Sequence, residues 1–512
     1  MFIFYSYAAH RRYYNYWFSR GVPGPRPFFP FGNLFSKAIN TPQELEVRWA
    51  TTYGPVYGLY MGLQPTLTVT DPVLVKQILV TDFRCFVDRR SMNSYHPLWN
   101  ENLFMAEGAA WRRLRAITSP AFSFHKLKTM VPLMEDCVRQ LVEHFELLIE
   151  ASGPKSLATF SAKEIFAGYT IDVICRAAFA TKTNANKEKK NAKNGKMTTN
   201  AALVENGKRF FNLNPLKIIT ILALPRPVLD LLNIRQPFRD DTFDYFVDFA
   251  RAVVRARKEE MVAKVEDGSA KRADLVQLLM DATVEENESV ENNPEFSPNS
   301  NKTSSRILTD DEVVAQLILF LAAGFETSSA SLTFAVFELV NNSGVQEKLY
   351  EEVKDESITT DSILNSCPYL EAVLKETTRM YSTVVRLERR VGVDDYQLKE
   401  GLILEKGTLV EIPPSALHFN PEFWPRPFTF DPERWMPENA HLLVPYAYLP
   451  FGQGNRGCIG QKFALQEMKL VLARLIRKFC FSKTASTPAK LDFIIGIPML
   501  NARPFEVAVS AR

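Results

Sequence analysis

Apolar positions recur at helical spacing over most of the chain, and only short stretches alternate as strands do. From about residue 110 the runs WRRLRAITSPAF and MVPLMEDCVRQLVEHFELLIE set apolar side chains three and four apart, which predicts amphipathic helices. LILFLAAGFETSSASLTFAVFEL reads as a helix that is apolar nearly all round. Residues 54–70, GPVYGLYMGLQPTLTVT, instead mix β-branched and aromatic residues and break at Gly62–Pro65, a hairpin pattern. The proline-rich segment 22–34 predicts a stiff extended connector, because proline fixes φ and removes a donor. The class is mostly α with a small β subdomain. No linker divides the chain, so one large domain is expected over 21–512 after a short segment at 1–20.

Three stretches need separate readings. Residues 182–208 and 284–306 are rich in Lys, Asn, Glu and Ser and poor in large apolar residues, so both are expected to be mobile loops, at least in part. Residues 210–234, FFNLNPLKIITILALPRPVLDLLNI, are apolar yet broken by prolines. They form either a pair of core helices or a segment lying in a lipid interface. At the N-terminus, apolar residues run only from Met1 to Ala9 before His10, Arg11 and Arg12, short of the about 20 a spanning helix needs. It is either a frayed end or the tail of a membrane anchor. The cluster Tyr13, Tyr14, Tyr16, Trp17 and Phe18 suits a membrane–water interface, and the cations around it, Arg20 included, would keep the body on the cytosolic side.

Composition narrows the chemistry. A net charge of +3 on 512 residues gives no case for nucleic acid. Six dispersed cysteines without a C-x-x-C pair read as reduced thiols, and six dispersed histidines do not suggest a non-haem metal centre.

The sharpest signal is PFGQGNRGCIGQKFAL, starting at Pro450. Gly452, Gly454 and Gly457 match the dinucleotide fingerprint, but no carboxylate follows at ribose-binding distance and prolines bracket the preceding run. What that fingerprint leaves unexplained is Arg456 and Cys458 among the glycines. Small residues let the backbone approach a flat ligand, backbone N–H groups can stabilise a thiolate, and a helix starting near Gly460 is expected to lower the thiol pKa. Arg456 can reach an anionic substituent of the same ligand.

The string F-G-x-G-x-R-x-C-x-G over residues 451–460 resembles the haem-binding signature of the cytochrome P450 family. The resemblance runs from about residue 21 to 508, through segments such as AGFETSSA, PVLDLLNI and CIG-KFAL-EMKL, and is nearest to animal family three and nematode family thirteen. It implies the triangular, mostly helical P450 fold and haem b held by Cys458 as axial iron ligand, with Phe451, Arg456 and Gly460 framing the loop. Thiolate donation favours O–O cleavage. Glu376 and Arg379, three apart on a helix, would form a bracing network with Arg434. Thr327 and Glu326 correspond to the family's oxygen-activation pair, the hydroxyl opening the helix and the acid feeding protons through water, with Gly324 leaving room for dioxygen. Trp111, Arg115, Arg389 and Arg89 would hold the propionates. Phe104, Ala323, Thr327 and Val384 would line the substrate pocket. Two departures are Ser382, where proline is usual, and Trp435, where phenylalanine is usual.

The implied reaction is insertion of one oxygen atom from O₂ into an apolar small molecule such as a xenobiotic, steroid or lipid. Its electrons would come from a separate NADPH-cytochrome P450 reductase, with cytochrome b5 as a further partner and Arg112, Arg113 and Lys462 as docking cations. The implied place is the cytosolic face of the endoplasmic reticulum membrane. A haem-thiolate isomerase of thromboxane-synthase type, needing neither O₂ nor reductase, is the alternative, and retention of Glu326 and Thr327 argues against it. A non-catalytic haem or lipid binder is a second rival.

Overall fold

The apolar run around LILFLAAGFETSSA folds as one long helix because nothing in it breaks the ladder and a capping box starts it. Thr309 Oγ1 accepts from the Glu312 N–H at 3.2 Å, and the Glu312 carboxylate accepts from the Thr309 N–H at 2.9 Å. The computed structural model describes residues 14–91, 97–153, 157–179, 199–210, 213–224, 226–232, 234, 239–267, 275–280, 308–495 and 499–512. Its principal helices are α1 (Leu34–Ile39), α2 (Pro42–Tyr53), α3 (Gly108–Thr118), α4 (Phe124–Ser152), α5 (Ala162–Phe179) and α6 (Thr199–Phe210). They continue as α7 (Pro215–Ala223), α8 (Arg226–Leu231), α9 (Asp240–Asp267), α10 (Asp310–Asn341), α11 (Pro368–Met380) and α12 (Gln461–Lys478). The strands are β1 (Val56–Met61), β2 (Gln64–Val69), β3 (Ala158–Ser161), β4 (Leu387–Arg390) and β5 (Tyr396–Lys399). They end with β6 (Leu402–Leu404), β7 (Leu409–Ile412), β8 (Phe479–Lys483) and β9 (Glu506–Ala511).

Helix α10 is the hub. It packs on α5, α9, α11 and α12, and most of its length is buried. Among the described residues it is the helix long and apolar enough to cross a membrane, but its faces are taken up by the core. Its closest neighbour is α5, buried continuously from Phe166 to Phe179. A Cβ on Gly324 would come 3.0 Å from Ile174 Cδ1 of α5. Gly324 therefore serves close helix packing against α5.

The hairpin over 54–70 forms as expected: β1 and β2 pair antiparallel from Val56↔Val69 to Met61↔Gln64. β7 then adds parallel to β2, and β4 closes the sheet antiparallel to β7 with Arg389 opposite Val410. β3, β9 and β8 form a second sheet. β1 is buried at every position because Tyr14 and Trp17 of the N-terminal segment pack with Val56 and Tyr60, and Leu45 and Trp49 of α2 pack with Tyr57 and Leu59. Trp17 Nε1 donates to Leu59 O at 2.9 Å, and Tyr14 OH donates to Gly62 O at 3.3 Å. A Cβ on Gly58 would stand 2.2 Å from Trp17 Cγ. Tyr14 and Trp17 thus belong to the core rather than to a membrane interface, while Phe18 stays exposed. Physically, indole and phenol rings with a hydrogen-bond partner inside the fold gain more from burial than from a lipid headgroup layer. The proline-rich connector to Leu34 is largely extended, as expected.

Two other expectations change. Within 182–208, residues 199–208 belong to α6, and Leu203 is buried there, so the Lys- and Asn-rich composition did not prevent a helix in that part. The stretch 210–234 does give a helix pair, α7 and α8, but among the described side chains of that pair only Ile218 and Leu229 are deeply buried, whereas Leu216 is 71% and Leu231 85% exposed. It is a surface pair, not a core pair. The expectations for Met1–Tyr13, for residues 182–198 and for 284–306 lie outside the described residues.

Substituting Gly58→Ala should destabilise the fold by about 1–3 kcal/mol, because Trp17 must leave its seat. Leu231→Ser should change stability by less than about 0.5 kcal/mol. Chemical denaturation followed by tryptophan fluorescence distinguishes them, and equal losses would refute the seating of Trp17.

Candidate active site

The cysteine loop is shaped by glycines before α12 begins. Gly452 and Gly454 lie in the left-handed region at φ 67° and 72°, and a Cβ on Gly454 would stand 2.0 Å from Leu79 O. Only glycine lets the loop lean on that carbonyl. The Cys458 N–H then donates to Phe451 O at 2.9 Å, and Gly460 caps α12. Cys458 itself is exposed, while Arg456 of the same loop is buried. Burial raises its thiol pKa, and the Gly460 N–H, Arg115, Arg89 and the Gln461 N–H pull against that. The expected donors are present, but the sum is opposite to the sequence expectation. Desolvation of the thiolate outweighs them until a cation arrives, and a coordinating metal deprotonates such a thiol outright.

Around this sulfur the fold gathers four arginines, which Asp88, Glu107 and Glu388 only partly offset. Arg456 donates from Nε to Val87 O at 2.9 Å and from Nη2 to Ala106 O at 2.8 Å, lies 4.2 Å over the Trp111 ring, and approaches Asp88 at 3.6 Å. Arg89 donates to Phe104 O at 3.0 Å and to Arg456 O at 3.4 Å. Arg389, 2% exposed, donates from Nη1 to Glu388 O at 2.8 Å, while its Nε is buried with no partner among the described residues. Burial lowers the pKa of Arg89, Arg115, Arg389 and Arg456, and these cations lower one another further: Arg115 acts on Arg89, Arg89 on Arg389, and both Arg89 and Arg389 on Arg456. Such an excess of buried positive charge calls for an anion. Haem b fits: the arginines would hold its two propionates and the Cys458 sulfur would ligate its iron.

Across from the loop, α10 presents Ala323 exposed and Thr327 half-exposed in an otherwise buried helix. Thr327 Oγ1 donates to Ala323 O at 2.6 Å, so the hydroxyl is bonded to its own helix. Glu326 is buried and turns away to an ion pair with Lys163, and Asn501 Nδ2 also donates to it. Lys163 in turn donates to Asn501 Oδ1 at 2.8 Å. Neither Lys163 nor Asn501 was flagged from sequence: both are remote along the chain and carry no local motif.

The brace is complete and larger than expected. Arg379 grips Glu376 with two bonds, Nε to Oε2 at 2.8 Å and Nη2 to Oε1 at 2.9 Å, and both residues are fully buried. Arg434 Nε adds a bond at 3.2 Å, the Asp431 N–H one at 3.0 Å and Trp435 Nε1 one at 2.9 Å. Trp435 was read only as a conservative change, yet its indole supplies a donor that phenylalanine lacks. His418 was also missed. Its Nδ1–H donates to Arg379 O at 2.8 Å and its Nε2 accepts from the Leu449 N–H at 2.8 Å, which ties the brace to the start of the cysteine loop. Burial holds its pKa at about 3.

Phe104 and Val384 are partly exposed, Phe104 lying 4.1 Å under the Arg89 guanidinium. Ser382 settles its departure from proline by donating to Val384 O at 3.1 Å. Arg112 and Lys462 are exposed. Arg113 is not a free surface cation, since it is ion-paired with Glu312 at the start of α10.

Glu376→Gln should cost about 3–5 kcal/mol by stranding two buried arginines, and Trp435→Phe about 1–3 kcal/mol by removing one donor. Equilibrium unfolding checks both, and a Trp435→Phe protein as stable as wild type would refute the indole's role. His418 gives a pH dependence. Its folded pKa of about 3 lies below the unfolded value of about 6.5, so stability should fall by about 1.4 kcal/mol per pH unit as pH drops through that window. His418→Gln should flatten that part of the slope.

The comparisons agree with this geometry. The family model described as Cytochrome P450 matches residues 22–505. Cytochrome P450 3A29 of Sus scrofa is 32% identical over 92% of this chain and 88% of its own length. Cytochrome P450 3A9 of Rattus norvegicus is 32% identical over 96% of this chain and 91% of its own length. Cytochrome P450 3A28 of Bos taurus, at 32%, covers 92% and 87%. With its thiol loop, its arginine cluster and a match spanning nearly its whole length, the chain belongs to the cytochrome P450 family and is a haem-thiolate monooxygenase.

Proposed function

We propose that this monooxygenase oxidises apolar small molecules (xenobiotics, steroids or lipids) with electrons from a separate NADPH-cytochrome P450 reductase, assisted by cytochrome b5. The observation that carries the reading is Cys458, an exposed thiol with backbone N–H groups and arginines acting on it. Bound there, haem supplies a thiolate-ligated iron that favours O–O cleavage.

The protein's own residues do the rest. Arg89, Arg115, Arg389 and Arg456, with Trp111 beneath Arg456, hold the propionates, and the unpartnered Arg389 Nε is the donor most in need of one. Thr327 releases its bond to Ala323 O and turns its hydroxyl toward the pocket, where a proton is handed on. Glu326, once it leaves Lys163 and Asn501, takes that proton from solvent water and passes it on, so these two residues position the carboxylate. Phe104, Ala323 and Val384 form an apolar wall that excludes water and admits greasy substrates. The Glu376–Arg379–Arg434 brace keeps the cysteine loop at one height.

The apolar surface supports a place on the cytosolic face of the endoplasmic reticulum membrane. α7 packs on α1 through Ile219 and Leu222, against Leu34 and Met61, while Leu216 of α7 and Phe28, Phe35 and Ile39 of the N-terminal elements stay exposed. Exposed apolar groups in such number mark a lipid or protein contact. Arg112 and Lys462 are the docking cations for the reductase.

The reduced protein given carbon monoxide should show the red-shifted thiolate absorption, and Cys458→Ala should abolish it together with oxidation. Thr327→Ala should keep haem and reductase-dependent oxygen uptake while product per O₂ falls at least severalfold; unchanged coupling would remove Thr327 from proton delivery. Arg112→Glu with Lys462→Glu should slow reductase-driven haem reduction by about tenfold at low salt and less at high salt. An unchanged, equally salt-sensitive rate would reject this docking face.

A further inference from the structure

Glu467 is buried to 1% exposure on α12, the helix that starts directly behind Cys458. It faces α10 at Ser328, the residue after Thr327, though the two do not reach hydrogen-bond geometry. Glu467 Oε1, Ser328 Oγ and Ser329 Oγ are all buried with no hydrogen-bond partner among the described residues. Among the described residues, the groups around it offer no positive charge. From α5, Tyr169 OH donates to the backbone carbonyl of Glu467 at 3.2 Å rather than to its carboxyl. From α4, Cys137 and Glu135 act on Tyr169, and Glu135 is itself paired with Arg474 at 3.0 Å. Lys469, two residues along, turns to Glu371 at 2.8 Å and Leu364 O at 3.0 Å. Burial without a cation raises the Glu467 pKa well above the carboxylate range, with Ser328 alone pulling it down.

Such a carboxyl is tolerated in its neutral form, and an ionised one would set a bare negative charge in the seam between α10 and α12. From Gln461 to Glu467 the helix rises only about 9 Å, so the charge would sit near the haem-thiolate unit. An electron added to that unit and a negative charge on Glu467 oppose each other, and by linkage each state of one shifts the other equally.

We propose that Glu467 is a proton-linked redox group, whose buried carboxyl beneath the Thr327 helix takes up a proton when the haem takes up an electron. The balance is simple. One electron from an external reductant converts ferric to ferrous iron, and one solvent proton forms an O–H bond at Glu467. No other bond changes. The inference rests on the haem-thiolate reading. A charge pair about 12 Å apart at an effective dielectric of about 20 separates the oxidised and reduced pKa values by about one unit.

The test is a spectroelectrochemical titration of the haem-loaded protein from the carboxylate range up to about pH 9. Wild type should show a reduction potential that falls with rising pH over a window about one unit wide, Glu467→Asp should keep a sloping segment, and Glu467→Gln should be flat there. A Glu467→Gln slope equal to wild type overturns the proposal. Should Glu467→Gln fail to load haem, reduced-minus-oxidised infrared spectra of wild type in H₂O and D₂O decide the matter. Gain of a protonated-carboxyl band on reduction within that window supports the proposal, and its absence overturns it. The carbon monoxide spectrum of the same sample tests the thiolate separately, so a normal thiolate band with a pH-flat potential sinks this inference alone.

Discussion

A single buried carboxylate, Glu376, is the constraint on which the site's geometry depends. An anion fully out of water is stable only when every lone pair is met, and here two arginines, an indole and a backbone N–H meet it. Because those donors come from α11 and from the segment around Asp431–Trp435, satisfying one charge fixes two distant stretches against each other. His418 extends the constraint to Leu449, which leads into the cysteine loop. Each nitrogen of that imidazole already has a task, one donating and one accepting, so a second proton has nowhere useful to go.

The opposite imbalance governs the cofactor pocket. Where Glu376 is over-supplied with donors, Arg89, Arg115, Arg389 and Arg456 crowd one another, and the buried Arg389 Nε lacks an acceptor. The raised thiol pKa of Cys458 belongs to the same picture, since crowded cations and a desolvated thiolate are both costly in the protein alone and a metal-bearing dianion would relieve both. Stability and function therefore draw on two separate charge arrangements, one closed within the chain and one left open.

Much of this was legible in the sequence because the relevant signals are local. The hairpin at 54–70, the long apolar helix, the Glu376–Arg379 spacing and the glycine-framed cysteine all announce themselves within a few residues. What was missed depends on partners far away in the chain. Lys163 and Asn501 converge on Glu326 from opposite ends of the chain. Gly324 owes its identity to Ile174, and Tyr14 and Trp17 owe their burial to β1. The sign of the Cys458 pKa shift was misjudged because a sequence lists donors near a sulfur but not how much water the fold removes from it.

The distribution of the pocket's parts sets when the cofactor can be captured during synthesis. Gly454 rests against the carbonyl of Leu79, and the arginines come from both halves of the chain, while the metal ligand lies close to the C-terminus. In the growing chain Arg89, Arg115 and Arg389 precede the sulfur, whereas Arg456 arrives with it. The pocket is therefore whole only once the segment around Arg456 and Cys458 has settled against Leu79 and the earlier arginines.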